Sequence, residues 1–345
     1  MRVLITGGAG FIGHHIIEHL LKNTDWYIVS LDRLSVSGNY NRLKDLDCWE
    51  EHGHRVTLVH HDLRSGMNDW VRSVVGNVEY ILHLAASTHV DRSIEDPMAF
   101  VLDNVVATTN LLEYARTQKD HLKSFLYFST DEVFGPAPED VAYKEWDRYN
   151  SGNPYAAAKA GGEEMALAYA NTYRIPVIVT HTMNVFGERQ HPEKFIPMTI
   201  RKILNREKII IHANKDRTKA GSRMWIHARN VGAAMLFLVN KVERGEISLG
   251  QFNADNFNIV GEREVDNLAM AEFIFSTVCS LRPNEPWKFE HEMVDFHSSR
   301  PGHDLRYALD GAKLKSMGWE LPVDFEHSLR RTIEWSINHP NWLHS

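Results

Sequence analysis

The sequence predicts an α/β fold, a doubly wound parallel sheet followed by a smaller C-terminal α/β domain. Three observations predict it. Short apolar runs at residues 3–6, 27–31, 56–59, 78–86, 125–128 and 176–180 are separated by stretches long enough for a helix, and alternating strands and helices imply parallel pairing through right-handed crossovers. The first run passes directly into Gly7-Gly8-Ala9-Gly10-Phe11-Ile12-Gly13. No internal repeat or low-complexity linker interrupts the pattern.

The first strand ends at Thr6, and the glycines lead into a helix with Ile16, Ile17, Leu20 and Leu21 at helical spacing. Gly7, Gly10 and Gly13 permit a tight turn, close approach of backbone N–H groups to a pyrophosphate, and packing of helix on strand, with the helix dipole facing the anion. The second strand ends in Asp32, about 20 residues on, where a carboxylate accepts from both ribose hydroxyls and repels a 2′-phosphate. NAD is therefore expected over NADP, even though Arg33 follows and offers a cation. The third strand leads to Asp62, placed beside the adenine, and Leu63. The fourth runs into Ala85-Ala86, whose small side chains admit a ligand, and a helix over 97–116 carries Phe100, Val101, Val105, Leu111 and Leu112.

The fifth strand ends in Ser129-Thr130-Asp131-Glu132, a hydroxyl pair followed by two carboxyls, at the strand end where open α/β sheets put their sites. Tyr155 and Lys159 follow, four residues apart in an Ala- and Glu-rich segment, so a helix there puts both on one face. An ammonium nearby favours the phenolate, which makes Tyr155 a candidate base. Taken alone, such a pair is ordinarily a solvated helix face, and adjacent carboxyls after a strand are ordinarily a cap or turn. Here they occur together behind a dinucleotide loop.

A sixth strand, 176–180, leads to Asn184, and a domain boundary is placed between 183 and 184. Residues 1–183 hold the dinucleotide site and catalytic groups, and 184–345 mainly the second ligand. Helices are predicted over 195–204, 265–281 and 325–338, with a polar, mobile loop at 213–222. Lys194, Arg223, Arg263 and Arg300 are candidates for gripping a phosphorylated ligand.

A chain of 345 residues, 43% hydrophobic and 24% charged, has an ordinary globular composition. Its formal charge of −7 argues against a general nucleic-acid or anionic-membrane binder. No apolar run approaches the roughly 18 residues of a membrane span, and the chain opens on a strand rather than a leader, so a cytoplasmic protein is expected. Cys48 and Cys279 lie far apart without a partner motif, and the histidines show no His-Glu-x-x-His pattern; no metal is expected.

GGAGFIG, HLAASTHVDRSI, STDEVFG, YAAAK, HPEKFIP and RPGHDLRYALD stand in one order along nearly the whole chain. Together they resemble the extended short-chain dehydrogenase/reductases that act on nucleotide sugars, and within them the NDP-glucose 4,6-dehydratases, most of all those for dTDP-glucose and UDP-glucose. The Thr-Asp-Glu triplet separates this group from its relatives. The resemblance implies a Rossmann-type NAD domain in which Tyr155 takes the proton of the sugar's 4-hydroxyl while carbon 4 gives hydride to NAD. Lys159 would lower the Tyr155 pKa and hold the nicotinamide ribose, and Thr130 would hydrogen-bond the same hydroxyl. Glu132 would then remove the hydrogen on carbon 5 as Asp131 protonates the departing 6-hydroxyl, and the hydride would return to carbon 6.

The same resemblance implies cofactor contacts from Gly7, Gly10, Phe11, Ile12, Gly13, Asp32, Asp62, Leu63, Ala85, Ala86, Asn104, Ser129, Tyr155 and Lys159. It places Thr88 and Asn184 at the sugar or its phosphates, Lys194, Arg223, Arg263 and Arg300 along the diphosphate, and His303 with the substrate contacts. A homodimer through helices at about 98–116 and 155–173 is also implied. Departures are Ala156 for the common Ser, HLAAST for HLAAES, and a longer polar loop before Arg223; they leave base and sugar specificity open, since loops grip those groups. An epimerase or decarboxylase of the same fold is the nearest alternative, and Asp131-Glu132 stand against it. A non-catalytic NAD-binding protein has no physical need of Tyr155, Lys159, Asp131 and Glu132 together.

Overall fold

Seven parallel strands organise the computed structural model, which describes residues 1–295 and 306–344. In chain order the strands are β1 (Arg2–Thr6), β2 (Tyr27–Asp32), β3 (Val56–His60), β4 (Tyr80–His83), β5 (Ser124–Thr130), β6 (Val177–Thr182), β7 (Asn184–Phe186), β8 (Ile209–Ala213), β9 (Ser222–His227), β10 (Ala254–Ile259), β11 (Glu264–Asp266) and β12 (His291–Asp295). The main sheet has the order β10-β6-β5-β4-β1-β2-β3. Its direction of growth reverses between β1 and β4, and a crevice opens outside the carboxyl ends of strands at such a point.

Helices cover both faces, so the strands read as near-continuous apolar runs; Val3, Leu4, Ile5, Phe125, Leu126, Val177 and Ile178 are all fully buried. Some buried polar members pair with one another across the layers. Thr6 Oγ1 meets His83 Nδ1 at 2.7 Å, and His83 Nε2 meets Thr108 Oγ1 at 2.9 Å; burial pushes the imidazole pKa down to about 3, which keeps it neutral in this chain of bonds. The long helix predicted over 97–116 forms in three continuous parts, Pro97–Val101, a π turn at Leu102–Val106, and Ala107–Thr117.

The second half builds its own core around Phe186, Ile196, Ile200, Trp225, Met270, Ile274, Leu329 and Ile333. Helices Phe195–Leu204, Asn267–Leu281 and Phe325–Asn338 enclose it, with a three-stranded sheet β11-β9-β7 and the pair β12-β8. The helix predicted from 265 begins at Asn267, because Val265 and Asp266 belong to β11 and the Asp266 carboxylate caps the amides of Leu268 and Ala269, each at 2.9 Å. The polar stretch 213–222 is tied down rather than loose. Its ends lie in β8 and β9, and Asn214 Oδ1 accepts from the amides of Thr218 and Lys219.

The boundary expected at 183/184 is crossed twice. β10 pairs with β6 as the edge of the main sheet, and helix Ala228–Glu243 packs Val231, Ala234, Met235 and Val239 into the same core as Ile16, Ile17 and Leu20 of helix Phe11–Asn23. The two halves of the chain therefore share a core. Among the described residues no helix is long and apolar enough to cross a membrane, and no cluster of three or more His, Cys, Asp or Glu is suited to a metal.

Candidate active site

One cleft at the carboxyl ends of β1, β2, β4 and β5 collects nearly all the residues singled out from the sequence. At one end is the glycine loop. Gly7 has φ +71°, and a Cβ there would lie 2.8 Å from the Ala85 amide nitrogen; a Cβ on Gly13 would lie 2.2 Å from the Gly7 carbonyl. Helix Phe11–Asn23 starts from Gly10 without a side-chain cap and without an acid in its first turn, so its leading N–H groups remain for an anion. Asp32 ends β2, buried, with Oδ1 accepting from the Leu34 amide at 2.8 Å and Oδ2 from the Ala9 amide at 3.1 Å. Burial raises its pKa, and those two amides and the nearby Arg42 and Arg33 oppose the rise. Phe11, Ile12, Asp62, Leu63, Ala85 and Ala86 line the same end. Asn104 does not line it: the side chain is buried against Ser87, accepting from its amide at 2.8 Å and donating to its carbonyl at 3.1 Å, and so fixes the turn that carries Thr88.

At the other end β5 passes into a 3₁₀ turn, Asp131–Phe134, with Thr130 as its cap. Helix Pro154–Tyr173 starts with Asn153 as N-cap and Pro154 in its first turn, which turns Tyr155 and Lys159 into the cleft beside Ser129, Thr130, Asp131 and Glu132. Asn153 Nδ2 also donates to Glu132 Oε2 at 3.2 Å. The sequence reading missed this residue, although an Asn before Pro at a helix start is a recognisable capping signal.

The electrostatics differ along this wall. Burial and then the charge of Glu132 push the Asp131 carboxyl up to about 7, against Arg223 and a hydrogen bond from Thr130. Asp131 Oδ1 accepts that bond at 3.1 Å, and buried Oδ2 has no partner among the described residues. Burial, Glu132 and Asp131 raise the Tyr155 pKa, and a hydrogen bond with Thr130 lowers it. Lys159 was expected to depress the phenol, but here it is itself pushed down to about 7 by burial, with Glu163 opposing. Its ammonium donates to the Phe128 carbonyl at 2.6 Å. The correction has a plain cause: phenol and amine are both taken out of water, and the phenol faces two carboxyls.

For the second ligand the cleft offers Thr88, Asn184 and Lys194, together with Gln190, His191, Phe195 and Trp225, which the sequence reading did not single out. Arg223 lies in β9 with its guanidinium over the Tyr307 ring, 4.7 Å from the centroid, and acts on the cleft through its charge on Asp131. Arg263 is not brought to the cleft. It pairs with Glu326 at 2.6 Å and covers the Phe325 ring, because helix Phe325–Asn338 presents that carboxylate beside it. Arg300 and His303 lie outside the described residues.

Residues 4–332 match the GDP-mannose 4,6 dehydratase family. Similar curated proteins include dTDP-glucose 4,6-dehydratase 1 of Escherichia coli K12, 32% identical over 99% of this chain and 94% of its own length. Another is the dTDP-glucose 4,6-dehydratase of Salmonella typhimurium, 33% identical over 100% of this chain and 95% of its own. Among solved structures, the dTDP-glucose 4,6-dehydratase of Streptomyces venezuelae with NAD and TYD bound aligns with a TM-score of 0.84 and 29% identity, covering 100% of this chain and 99% of that one. A UDP-glucose 4-epimerase of Thermus thermophilus complexed with NAD aligns at 0.81 and 25%, covering 97% and 98%.

Proposed function

The chain belongs to the GDP-mannose 4,6 dehydratase family, and from that premise we propose that it is an NAD-dependent hydro-lyase converting an NDP-glucose to the NDP-4-keto-6-deoxyglucose with loss of water. The named relatives favour dTDP-glucose as substrate; UDP-glucose is the second candidate, from the sequence motifs alone. The observation that carries the reading is Asp131, a buried carboxyl pushed up to about 7 directly beside Glu132 and in one cleft with Tyr155 and Lys159. An epimerase needs a base at carbon 4 alone, whereas loss of water also needs an acid and a second base, and neighbouring carboxyls with separated environments divide that work.

NAD fits the residues present: the close-packed glycine loop, an uncapped helix start for the pyrophosphate, and Asp32 for the ribose. When bound, it accepts hydride from carbon 4 of the sugar and returns it to carbon 6. Tyr155 takes the proton of the 4-hydroxyl as the phenolate, a form that burial, Glu132 and Asp131 oppose and the Thr130 hydrogen bond favours; the positive charge that NAD would bring beside it supplies the rest of the bias. Glu132, held by Asn153, removes the proton on carbon 5. Asp131 gives its proton to the 6-hydroxyl, so the carbon–oxygen bond breaks, water leaves and a carbon 5–carbon 6 double bond forms. Hydride at carbon 6 and a proton at carbon 5 then complete the product. Thr88, Asn184 and Lys194 hold the sugar diphosphate, so both halves of the chain contribute substrate contacts. Exposed Ile94, Met98, Val101 and Leu102 beside helix Pro154–Tyr173 support a homodimer through these helices, and the free Cys48 and Cys279 suit a cytoplasmic location.

The test is incubation with dTDP-glucose and with UDP-glucose, each deuterated at carbon 4. A 4-keto product with the deuterium on carbon 6 is expected. A 4-epimer, or no ketone from either sugar, would overturn the assignment.

A further inference from the structure

The π turn Leu102–Val106 adds a residue to its helix, a distortion that often re-aims side chains at functional sites. It turns two consecutive side chains inward, Asp103 and Asn104, both buried. Asn104 fixes the Ser87 main chain. Asp103 takes the guanidinium of Arg33 in two parallel bonds of 2.7 and 2.6 Å, and accepts a third from Ser87 Oγ at 2.6 Å.

Arg33 directly follows Asp32, and both line the cleft where the adenosine ribose is read. Its guanidinium is therefore placed to receive a 2′-phosphate, and it is already committed. Asp62 stands 3.7 Å from Arg33, but its carboxylate is bonded by Arg64 at 2.9 and 2.6 Å. Arg42, the third guanidinium near Asp32, is likewise spent on the carbonyls of Ser37 and Arg189, so the guanidiniums of this corner are already bonded within the protein when a phosphate arrives.

We propose that Asp103 is a specificity-determining residue: by holding Arg33 in a two-bond ion pair it withdraws that cation from the ribose 2′ position and, with Asp32, makes the site select NAD against NADP. The inference rests on the reading of this cleft as a dinucleotide site. Two bonds to a charged group are worth enough that releasing them should be read directly in affinity.

The experiment is calorimetric titration of full-length wild type, Asp103→Asn, Arg33→Ala and the double variant with NAD and with NADP. In Asp103→Asn the ratio of the NADP Kd to the NAD Kd should fall about tenfold, and the fall should vanish in the double variant because it needs the freed Arg33. Ser87→Ala, which loosens Asp103 without changing charge, should move the ratio the same way by less and serves if Asp103→Asn does not fold. An unchanged ratio in Asp103→Asn and Ser87→Ala, or a gain that survives loss of Arg33, overturns the proposal while tight NAD binding still stands. Wild type that binds neither dinucleotide would overturn the site reading itself.

Discussion

The ammonium of Lys159 lies 2.6 Å from the main-chain oxygen of Phe128, which ties the helix carrying Tyr155 to the strand that leads into Asp131 and Glu132. Two half-reactions are thereby served from one corner by different groups. Tyr155→Phe should show little reduced-cofactor absorbance on mixing with substrate. Asp131→Asn and Glu132→Gln should leave the oxidation and slow the elimination, by about 10²–10⁴-fold for a lost general acid or base. Reduced cofactor should then accumulate in rapid-mixing experiments; undiminished turnover of Glu132→Gln would remove it from the proton transfer.

Asp131 must carry a proton when the 6-hydroxyl leaves, and its carboxyl titrates near 7. At saturating substrate, kcat should fall as pH rises through about 7. Arg223 is the cation that holds this value down, so Arg223→Ala should move the falling limb to higher pH. A limb that stays in place in that variant, or persists in Asp131→Asn, would assign it to another group.

The same carboxyl weakens the fold at high pH. Its pKa in the folded state lies above the unfolded value near 4, so the folded protein binds the extra proton between those values and stability falls as pH rises from about 4 to about 7. Asp131→Asn should therefore be more stable than wild type well above pH 7, by on the order of a few kcal/mol at most. The advantage should disappear toward pH 4. Urea unfolding of both proteins across this range checks it, and equal stability throughout would mean that water or neighbours solvate the charge.

Arg42 is 2% exposed and donates to three carbonyls, of Ala9 at 3.3 Å, Ser37 at 2.5 Å and Arg189 at 3.0 Å, with the Trp342 ring 5.1 Å away. Those carbonyls belong to three loops whose neighbours Gly10, Ser37 and Gln190 line the cleft. Arg42→Ala should weaken NAD about tenfold in a direct titration, through orphaned carbonyls and a lost cation beside Asp32, although Arg42 does not line the cleft. Lower Tm with unchanged NAD affinity would make its role purely structural.

The parts legible in the sequence are those where a few adjacent residues dictate both shape and chemistry. Gly7 to Gly13, Asp32, Ser129 to Glu132 and the Tyr155–Lys159 pair meet in one cleft as their spacing suggests. β10 was not legible, because Asn256 and Asn258 occupy core positions and read as loop. Each is fully buried, and its Nδ2 donates at long range, from Asn256 to the Glu145 carbonyl and from Asn258 to those of Tyr143 and Asp310. Arg263 failed for a related reason: a guanidinium's partner is set by which helix arrives beside it, and Glu326 is remote in sequence. The state of Tyr155 was hidden too, since burial depends on the whole fold.

The outer edge of β6 is covered by β10, whose residues are made only after some seventy more have been added. At about 5–20 residues per second, a nascent chain waits several seconds with the backbone of that edge, fully buried in the finished fold, unpaired. An open edge of this kind is a template for pairing with another chain. The vulnerable period of this protein is therefore its own translation rather than its working life: until residue 254 has been made, the edge of β6 has no strand of its own chain to cover it.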